Sequence, residues 1–245
     1  GQTSPTSAAY PSVPHLLQET AQDWAPAGLA YADTILPAIA PVRQQYAPEA
    51  EVWIDEYAED PGPAAGAGLS DRVVGALWAA DSTGRFAARG IDAIFHFIFK
   101  SDASHAYTLV DASDNPRPEY YAYWLYAQHF GDKMVNVSQP DRSQVSVHAA
   151  LRESDNSLRV MVVNKGTAPK KVRLNLVGFV PYGASQMVLQ GTSYQATSMT
   201  ANGKALTPET VAQGESAIPM AEASPCADSV VTVPAYSIAL VAFTR

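Results

Sequence analysis

Apolar and polar positions follow two different patterns along this chain, and the pattern changes near residue 132. In the first part, short apolar runs alternate with helical segments. Val52-Trp53-Ile54 is an apolar run bounded by polar residues, which predicts a strand buried on both faces, as in a parallel sheet. Such a strand would end at Asp55-Glu56 and present carboxylates at its C-terminal edge. A Gly/Pro/Ala loop over Pro61–Gly68 follows, and Ser70 is suited to cap the next helix.

That helix and its neighbours complete the first part. The helix is predicted from about Ser70 to Ala88, because its apolar residues recur at a spacing that forms one stripe. The stripe consists of Val73, Val74, Leu77 and Trp78. Ile91–Phe99 is rich in β-branched and aromatic residues and predicts a second buried strand. Pro118 suits the first position of a further helix, which Gly131 ends. Residues 1–13 predict a linker, and residues 15–47 predict short helices interrupted by prolines.

The second part of the chain has short strands and no further long helical pattern. Turn clusters such as Ser154-Asp155-Asn156-Ser157 and Asn202-Gly203-Lys204 separate them. The predicted strands are Val145–Arg152, Leu158–Asn164, Val172–Val177, Gln186–Gln190, Val230–Val233 and Ile238–Phe243. Many short strands with regular turns are typical of an antiparallel sandwich. We therefore predict two domains, residues 1–131 and residues 132–245.

The first part is incomplete as a folding unit. It supplies only two strands for a parallel sheet, and a two-stranded sheet buried on both faces has nothing to bury against. We therefore expect this chain to be the C-terminal part of a larger assembly. A missing N-terminal segment or a second polypeptide would provide the remaining strands.

An ordered set of motifs runs from Val52 to Phe130. The strand that ends in Glu56 is followed by the Gly-rich loop and the helix with its leucine and tryptophan. Further along lie Arg89-Gly90, Tyr107-Thr108-Leu109-Val110-Asp111 and Pro116-Arg117-Pro118-Glu119-Tyr120-Tyr121. In this order and spacing the segment resembles the heparanase/β-glucuronidase family of retaining glycoside hydrolases, within the clan of (β/α)8-barrel glycosidases. Weaker matches continue to the end of the chain at Leu158-Arg159-Val160, Asn202-Gly203 and Val233-Pro234-Ala235-Tyr236-Ser237.

The resemblance implies an α/β plus all-β fold. The first domain would be the C-terminal part of a (β/α)8 TIM barrel, contributing strands 7 and 8, and an antiparallel β-sandwich would follow. It further implies that Glu56 is the catalytic nucleophile. The family's acid/base is a Glu in an Asn-Glu pair after strand 4, and this sequence contains no Asn-Glu pair. The acid/base would therefore come from the missing segment or the second chain.

The substrate would be a polysaccharide or glycoconjugate. Tyr107 matches a family tyrosine that lines the sugar site, although a ring packed under its loop fits equally well. Asp102 and His105 are loop candidates for binding sugar hydroxyls, and Tyr57 is a candidate for a hydrogen bond near the nucleophile. No cofactor or metal is expected.

Each of these residues also has a structural reading. Glu56 fits an exposed turn carboxylate, as one of 24 acidic residues. Strand alternation places Asp55 on the face opposite Glu56, against the surrounding helices. His96 lies between two phenylalanines, which favours a histidine satisfied inside the barrel over a ligand-binding one. A non-catalytic glycan-binding or structural interaction protein that retains the glycosidase fold is the alternative function.

Composition narrows the expected partners. A net charge of −8 with 16 Lys+Arg and no basic cluster argues against nucleic acid. No apolar run approaches the roughly 20 residues of a membrane span. Few cations in the first part also argue against a polyanionic substrate such as heparan sulfate. Asn136-Val137-Ser138 is a glycosylation acceptor triplet, which favours a secreted or lysosome-like location for a glycoprotein.

Overall fold

The computed structural model describes residues 36–58, 71–100, 108–139, 141–212, 218–223 and 228–245. The predicted linker, the Gly/Pro/Ala loop and Ser70 lie outside these ranges. The helices are α1 (Leu36–Tyr46), α2 (Val73–Ala88), α3 (Pro118–His129) and α4 (Pro208–Ala212). The strands are β1 (Trp53–Tyr57), β2 (Ala93–His96), β3 (Lys133–Val135), β4 (Val145–Arg152), β5 (Ser157–Asn164), β6 (Lys170–Asn175), β7 (Gly183–Gln190), β8 (Thr200–Ala201), β9 (Lys204–Ala205), β10 (Ala221–Ala223), β11 (Asp228–Val233) and β12 (Ser237–Thr244).

Strands β1 and β2 form a parallel pair, as their apolar runs predict, but the predicted burial on both faces is not observed among the described residues. Trp53 lies opposite Ala93 and Ile54 opposite Ile94, and the register shifts before Tyr57, which lies opposite His96. Beyond the strands, the backbone N–H of Phe97 donates to the carbonyl of Tyr57 at 2.9 Å. The two strands therefore end side by side at the same edge, and the prediction of adjacent parallel neighbours is confirmed.

The two faces of this parallel pair are very different. One face packs Ile54 and Ile94 against Phe86 of α2 and Leu36 of α1. The other face is aromatic and exposed. Its side chains are Trp53 (57% exposed), Phe95 (48%), Phe97 (41%) and Phe99 (60%). We call these four residues the aromatic face. Nothing in the described part of the chain covers it to the extent expected of a sheet interior.

Helix α2 lies at the centre of the molecule and is buried along most of its length. Such a helix needs apolar neighbours on every side, not a single stripe. Its N-terminus is satisfied by backbone groups: the N–H groups of Val73 and Val74 donate to the carbonyls of Ala196 and Tyr194 at 2.9 and 3.2 Å. The loop at residues 194–196 thus supplies the acceptors that a side-chain cap would otherwise provide.

Most strands of the second part form one eight-stranded antiparallel sheet. Its order is β3-β4-β5-β12-β7-β8-β9, with β10 paired to β7. Side chains alternate between its two faces. On β5, Met161 and Val163 contact the helices, whereas Val160 and Val162 contact the second sheet, which is the pair β11-β6. Helices α2 and α3 therefore cover one face, and a small sheet covers the other.

The observed architecture is a mixed α/β fold whose larger sheet is antiparallel. The predicted strand β4 has the observed bounds, and the other long strands differ only at their ends. The predicted division at 131/132 stays a prediction, because the described residues on both sides share one apolar core. Two parallel strands do not close a barrel, so the barrel assignment also stays a prediction. Among the described helices, none combines the length and apolarity needed to span a bilayer.

Candidate active site

Two exposed carboxylates lie at the C-terminal end of β1. Asp55 and Glu56 are both exposed, and they occupy the irregular step between the paired residues Ile54 and Tyr57. Because the register shifts here, simple strand alternation does not apply. The expectation that Asp55 packs against the surrounding helices is therefore wrong: its side chain reaches solvent. The structure brings Glu56 to the strand end at which the sequence places it, and its catalytic role stays a prediction.

Tyr57 turns toward the helices. Its ring stacks on Trp78 at 4.9 Å between centroids and meets Phe86 edge-on at 5.0 Å. Both partners belong to α2. The ring therefore anchors the end of β1 to the core, and its predicted role near the sugar stays a prediction.

A buried polar group supports the end of β2. The Nδ1 atom of His96 lies 3.4 Å from Oε1 of Glu119 and 3.4 Å from the hydroxyl of Tyr123, and both of these residues belong to α3. The side chain of His96 is 5% exposed and that of Glu119 is fully buried. His96 is thus a satisfied core histidine, as expected, but it faces α3 and not a barrel interior. This contact fixes the strand that neighbours Glu56.

The loop that leads from β2 into α3 contains part of the family-like motif. Oδ1 of Asp111 accepts the backbone N–H groups of Ser113 and Asn115, each at 2.8 Å. The hydrogen bond from Asn115 contributes most to lowering the pKa of Asp111 below its ordinary value. Asp111 therefore has a structural role as the organiser of this turn. The predicted sugar ligands Asp102, His105 and Tyr107 lie outside the described residues.

A buried cluster of polar side chains was not predicted from the sequence. Asp81 of α2 accepts hydrogen bonds from Ser146 (2.7 Å) and Lys165 (2.7 Å), and its other oxygen lies 2.9 Å from Nε2 of His148. The side chains of Asp81, His148 and Lys165 are at most 2% exposed. Ser146 and His148 belong to β4, and Lys165 directly follows β5. The cluster joins α2 to the antiparallel sheet.

Contacts within this cluster shift the pKa values of Asp81 and Lys165. Burial alone raises the pKa of Asp81, but the hydrogen bond with His148 and the charge of Lys165 outweigh it and hold that pKa well below its ordinary value. Burial lowers the pKa of Lys165, and the charge of Asp81 opposes that effect. Asp81 is therefore ionised at neutral pH and holds a buried cation. The signal for this cluster in the sequence is weak, because one Asp in an alanine-rich helix is typical of a solvated face.

Among the described residues, no group of three or more His, Cys, Asp or Glu side chains is placed to hold a metal ion.

Proteins that share this fold are found among solved structures. No protein-family model matches the chain, and no curated protein matches it. The matching structures named below are all glycoside hydrolases. The fold of this chain is therefore one that carbohydrate-cleaving hydrolases also have.

Three of these structures illustrate the match. CelM2, a bifunctional glucanase-xylanase protein from a metagenome library, aligns with a TM-score of 0.64 and 22% identity over 95% of this chain and 39% of its own. A Paenibacillus polymyxa xyloglucanase of glycoside hydrolase family 44 aligns with a TM-score of 0.62 and 18% identity over 95% of this chain and 41% of its own. The arabinose-bound α-L-arabinofuranosidase MgGH51 aligns with a TM-score of 0.63 and 15% identity over 95% of this chain and 35% of its own.

These identities are low, so the likeness concerns the fold. The chain spans about two fifths of the length of the first structures it matches. The activity of the whole proteins therefore enters only as a proposal for this chain.

Proposed function

We propose that this chain is part of a retaining glycoside hydrolase and that Glu56 is its nucleophile. The observation that carries the proposal is the position of Glu56: an exposed carboxylate at the carboxyl end of a parallel strand pair, in a fold shared with glycoside hydrolases. Active sites of (β/α)8 barrels lie at that end of the strands. The supporting contacts of Tyr57 with α2 and of His96 with α3 hold this end of the pair in place.

The proposed reaction needs a second carboxyl group. In a retaining glycosidase, one carboxylate attacks the anomeric carbon and a carboxylic acid about 5–5.5 Å away protonates the leaving oxygen. Water then cleaves the glycosyl-enzyme ester, and the second group takes a proton from that water. We propose that a Glu from outside this chain supplies the acid/base, because the sequence contains no Asn-Glu pair.

The aromatic face supports the same assembly. A sheet of two strands with one face exposed is marginal alone. Further parallel strands, from a preceding segment or a second polypeptide, would bury Trp53 and its neighbours as a barrel interior. The short coverage of the matched structures agrees with such a missing portion.

For the substrate we propose a polysaccharide of neutral or lightly charged sugars. Two of the described cations in the first part of the chain are paired with carboxylates: Arg72 with Asp71 at 2.9 Å and Lys100 with Asp114 at 2.5 Å. A cleft for a polyanion would present unneutralised cations. The matched enzymes are named for glucan, xylan, xyloglucan and arabinofuranoside, which are built from uncharged sugars. A more specific form of this proposal is that the enzyme is of the heparanase/β-glucuronidase type. We also propose that the protein is a secreted glycoprotein.

The decisive experiment replaces Glu56 by Gln in the assembled protein, that is, in this chain together with the polypeptide that completes it. Substrates are β-glucan, xylan, xyloglucan and an aryl β-glucuronide. We expect kcat to fall by at least about 10⁴-fold on the active substrate, because loss of a covalent nucleophile has an effect of that order. A fluorinated, slow-turnover glycoside of the active sugar should label Glu56, and mass spectrometry of peptides would detect the adduct.

Two matched variants complete this design. Glu153→Gln changes an exposed carboxylate in the turn between β4 and β5 and should leave kcat unchanged. Asp55→Asn tests the neighbouring exposed carboxylate on the same strand. Full turnover by Glu56→Gln, or a label on Asp55 in place of Glu56, would overturn the assignment. Glycan binding without turnover in the unmodified assembly would instead favour the non-catalytic alternative.

A further inference from the structure

A cavity of about 190 Å³ lies where the end of α2 meets the strands β3 and β4. A single water needs only about 10–15 Å³ of such space, so the cavity has room for a polyatomic ligand. Three of its lining residues are arginines, namely Arg85, Arg89 and Arg142. In a chain with a net charge of −8, this is an unusual concentration of positive charge.

The three arginines come from two separate segments. Arg85 lies in the last turn of α2 and Arg89 caps that helix one turn later, so both point from the same helix face. Arg142 belongs to the loop between β3 and β4 and approaches from the sheet. The charges of Arg142 and Arg85 both act to lower the pKa of the buried Lys165, which supports their convergence.

The loop that carries Arg142 is held in place by hydrogen bonds. The side chain of Gln139 donates to the carbonyls of Asp141 and Val145 and accepts the N–H of Val147 at 2.9 Å. At the far side of the loop, the N–H of Lys165 donates to the carbonyl of Gln144 at 2.7 Å. Arg142 is therefore presented on a preorganised segment, which reduces the entropy lost on binding.

The described lining contains amide groups and an imidazole besides the arginines, and none of these lining residues is Asp or Glu. Guanidinium groups present forked N–H donors that match the oxygens of carboxylate, sulfate and phosphate. We propose that this cavity is a binding site for a small oxyanion, held by Arg85, Arg89 and Arg142. The ligand would be either an inorganic ion or the carboxylate of an acidic sugar.

A purely structural explanation exists for two of the arginines. Cations in the last turn of a helix interact favourably with its terminal carbonyls and its dipole. That explanation does not account for Arg142, which lies on another segment, nor for a cavity of this size. The two views differ in one measurable respect: only the oxyanion site predicts saturable binding that depends on Arg142.

The test is calorimetric titration of the full chain at constant ionic strength. The probes are sodium sulfate, sodium phosphate and sodium glucuronate, with glucose as the neutral control. We expect saturable binding of at least one anion and none of glucose. Arg142→Gln and Arg89→Gln should each weaken binding by roughly tenfold or more, as expected for loss of a charge-assisted hydrogen bond. Arg173→Gln, an exposed arginine on β6, is the matched control and should bind as the unmodified chain does.

Each outcome of this titration either supports the oxyanion site or overturns it. Preference for sulfate or phosphate would identify an inorganic ion as the ligand, and preference for glucuronate would identify an acidic sugar. No saturable anion binding by the unmodified chain, or equal loss in Arg173→Gln, would overturn the proposal. Circular dichroism checks the fold of each variant. Arg89 is exposed, so the Arg89→Gln result decides the matter even if Arg142→Gln unfolds.

Discussion

At the scale of single residues, Asp81 has the most consequential environment in the described chain. Its carboxylate is fully buried and contacts Ser146, His148 and Lys165. A buried ion pair is costly to form but more costly to break, because one partner then remains as an uncompensated charge. The stability of the contact between α2 and the sheet therefore depends on both charges being present.

We predict that Asp81→Asn lowers the free energy of unfolding by about 3–5 kcal/mol, because Lys165 would stay buried without its counterion. Urea unfolding followed by tryptophan fluorescence measures the change. The double variant Asp81→Leu/Lys165→Met removes both charges and should be less destabilised than Asp81→Asn. Equal stability of Asp81→Asn and the unmodified chain would contradict this account, and Glu153→Gln serves as the exposed control.

Acid should remove the same contribution. The folded-state pKa of Asp81 is depressed, so its stabilisation is complete above the unfolded pKa of about 3.9 and is lost as the pH falls below that value. Urea midpoints measured between pH 7 and pH 3 should therefore fall more steeply for the unmodified chain than for Asp81→Asn. Parallel pH profiles would show that Asp81 does not carry this dependence.

Some of the residues discussed above can be identified from the sequence, and others cannot. The apolar run that ends at Ile54 predicts locally that Asp55 and Glu56 lie at a strand end, whereas the role of Glu56 as nucleophile is implied only by the resemblance and stays a prediction. Asp81 and the three cavity arginines could not be identified from the sequence, because their partners lie far along the chain. Ser146 is 65 positions from Asp81, and Lys165 is 84 positions from it. Periodicity indicates which face of a helix is apolar but not which distant strand faces a polar residue on it.

At the scale of elements, α2 and β4 approach each other unusually closely. An added Cβ atom at Gly84 would lie 2.3 Å from the ring of His148, well inside van der Waals contact. The absence of a side chain at this position lets the helix reach the sheet. A glycine inside a helix ordinarily costs about 1 kcal/mol relative to alanine, so here packing outweighs helix propensity.

We predict that Gly84→Ala destabilises the chain by about 1–3 kcal/mol, the range typical of overpacking, although alanine favours helices. In a His148→Ala background the same change should be neutral or stabilising, because the ring that it meets is gone. Thermal unfolding of the four variants in this cycle measures the coupling. Stabilisation by Gly84→Ala alone would contradict the packing account.

Elements themselves were predicted well, and their ends less well. The strand pattern gave β4 its observed bounds, and Pro118 marks the observed start of α3. For α2, the expected cap at Ser70 does not match the observed start at Val73, because the loop at 194–196 supplies the acceptors. Backbone acceptors that lie 120 and 123 positions away leave no local signal in the sequence.

At the scale of the whole molecule, the aromatic face is the feature that the described chain does not explain by itself. Trp53 and Phe95 lie 5.5 Å apart between ring centroids on a face open to solvent. Exposed aromatic side chains in one contiguous patch mark an interaction surface or an aggregation risk. The sequence likewise shows two parallel strands and no third one, and the expectation that further strands come from outside this chain stays a prediction.

We predict that the chain alone binds a hydrophobic dye at the aromatic face and self-associates. The double variant Trp53→Ser/Phe95→Ser should lower both dye fluorescence and the mass measured by light scattering. Its free energy of unfolding should fall by about 1 kcal/mol, because the two half-exposed rings form a cross-strand aromatic pair. In the assembled protein, dye binding should be low before any substitution.

The matched control for this test changes an exposed aromatic residue elsewhere. Tyr182→Ser lies in the segment before β7, is 82% exposed and should leave dye binding nearly unchanged. Equal dye binding by the unmodified chain and the Trp53→Ser/Phe95→Ser variant would show that the aromatic face is not the exposed interaction surface.

The central position of α2 has a consequence for protein engineering. This helix contacts the parallel pair through Trp78 and the antiparallel sheet through Asp81, three positions later. An exchange of the C-terminal sheet between proteins that share this fold, with its joint at residue 132, would separate Asp81 from Lys165 and Gly84 from His148. A segment designed for such an exchange should therefore begin before Val73, so that α2 is transferred together with the antiparallel sheet that it contacts.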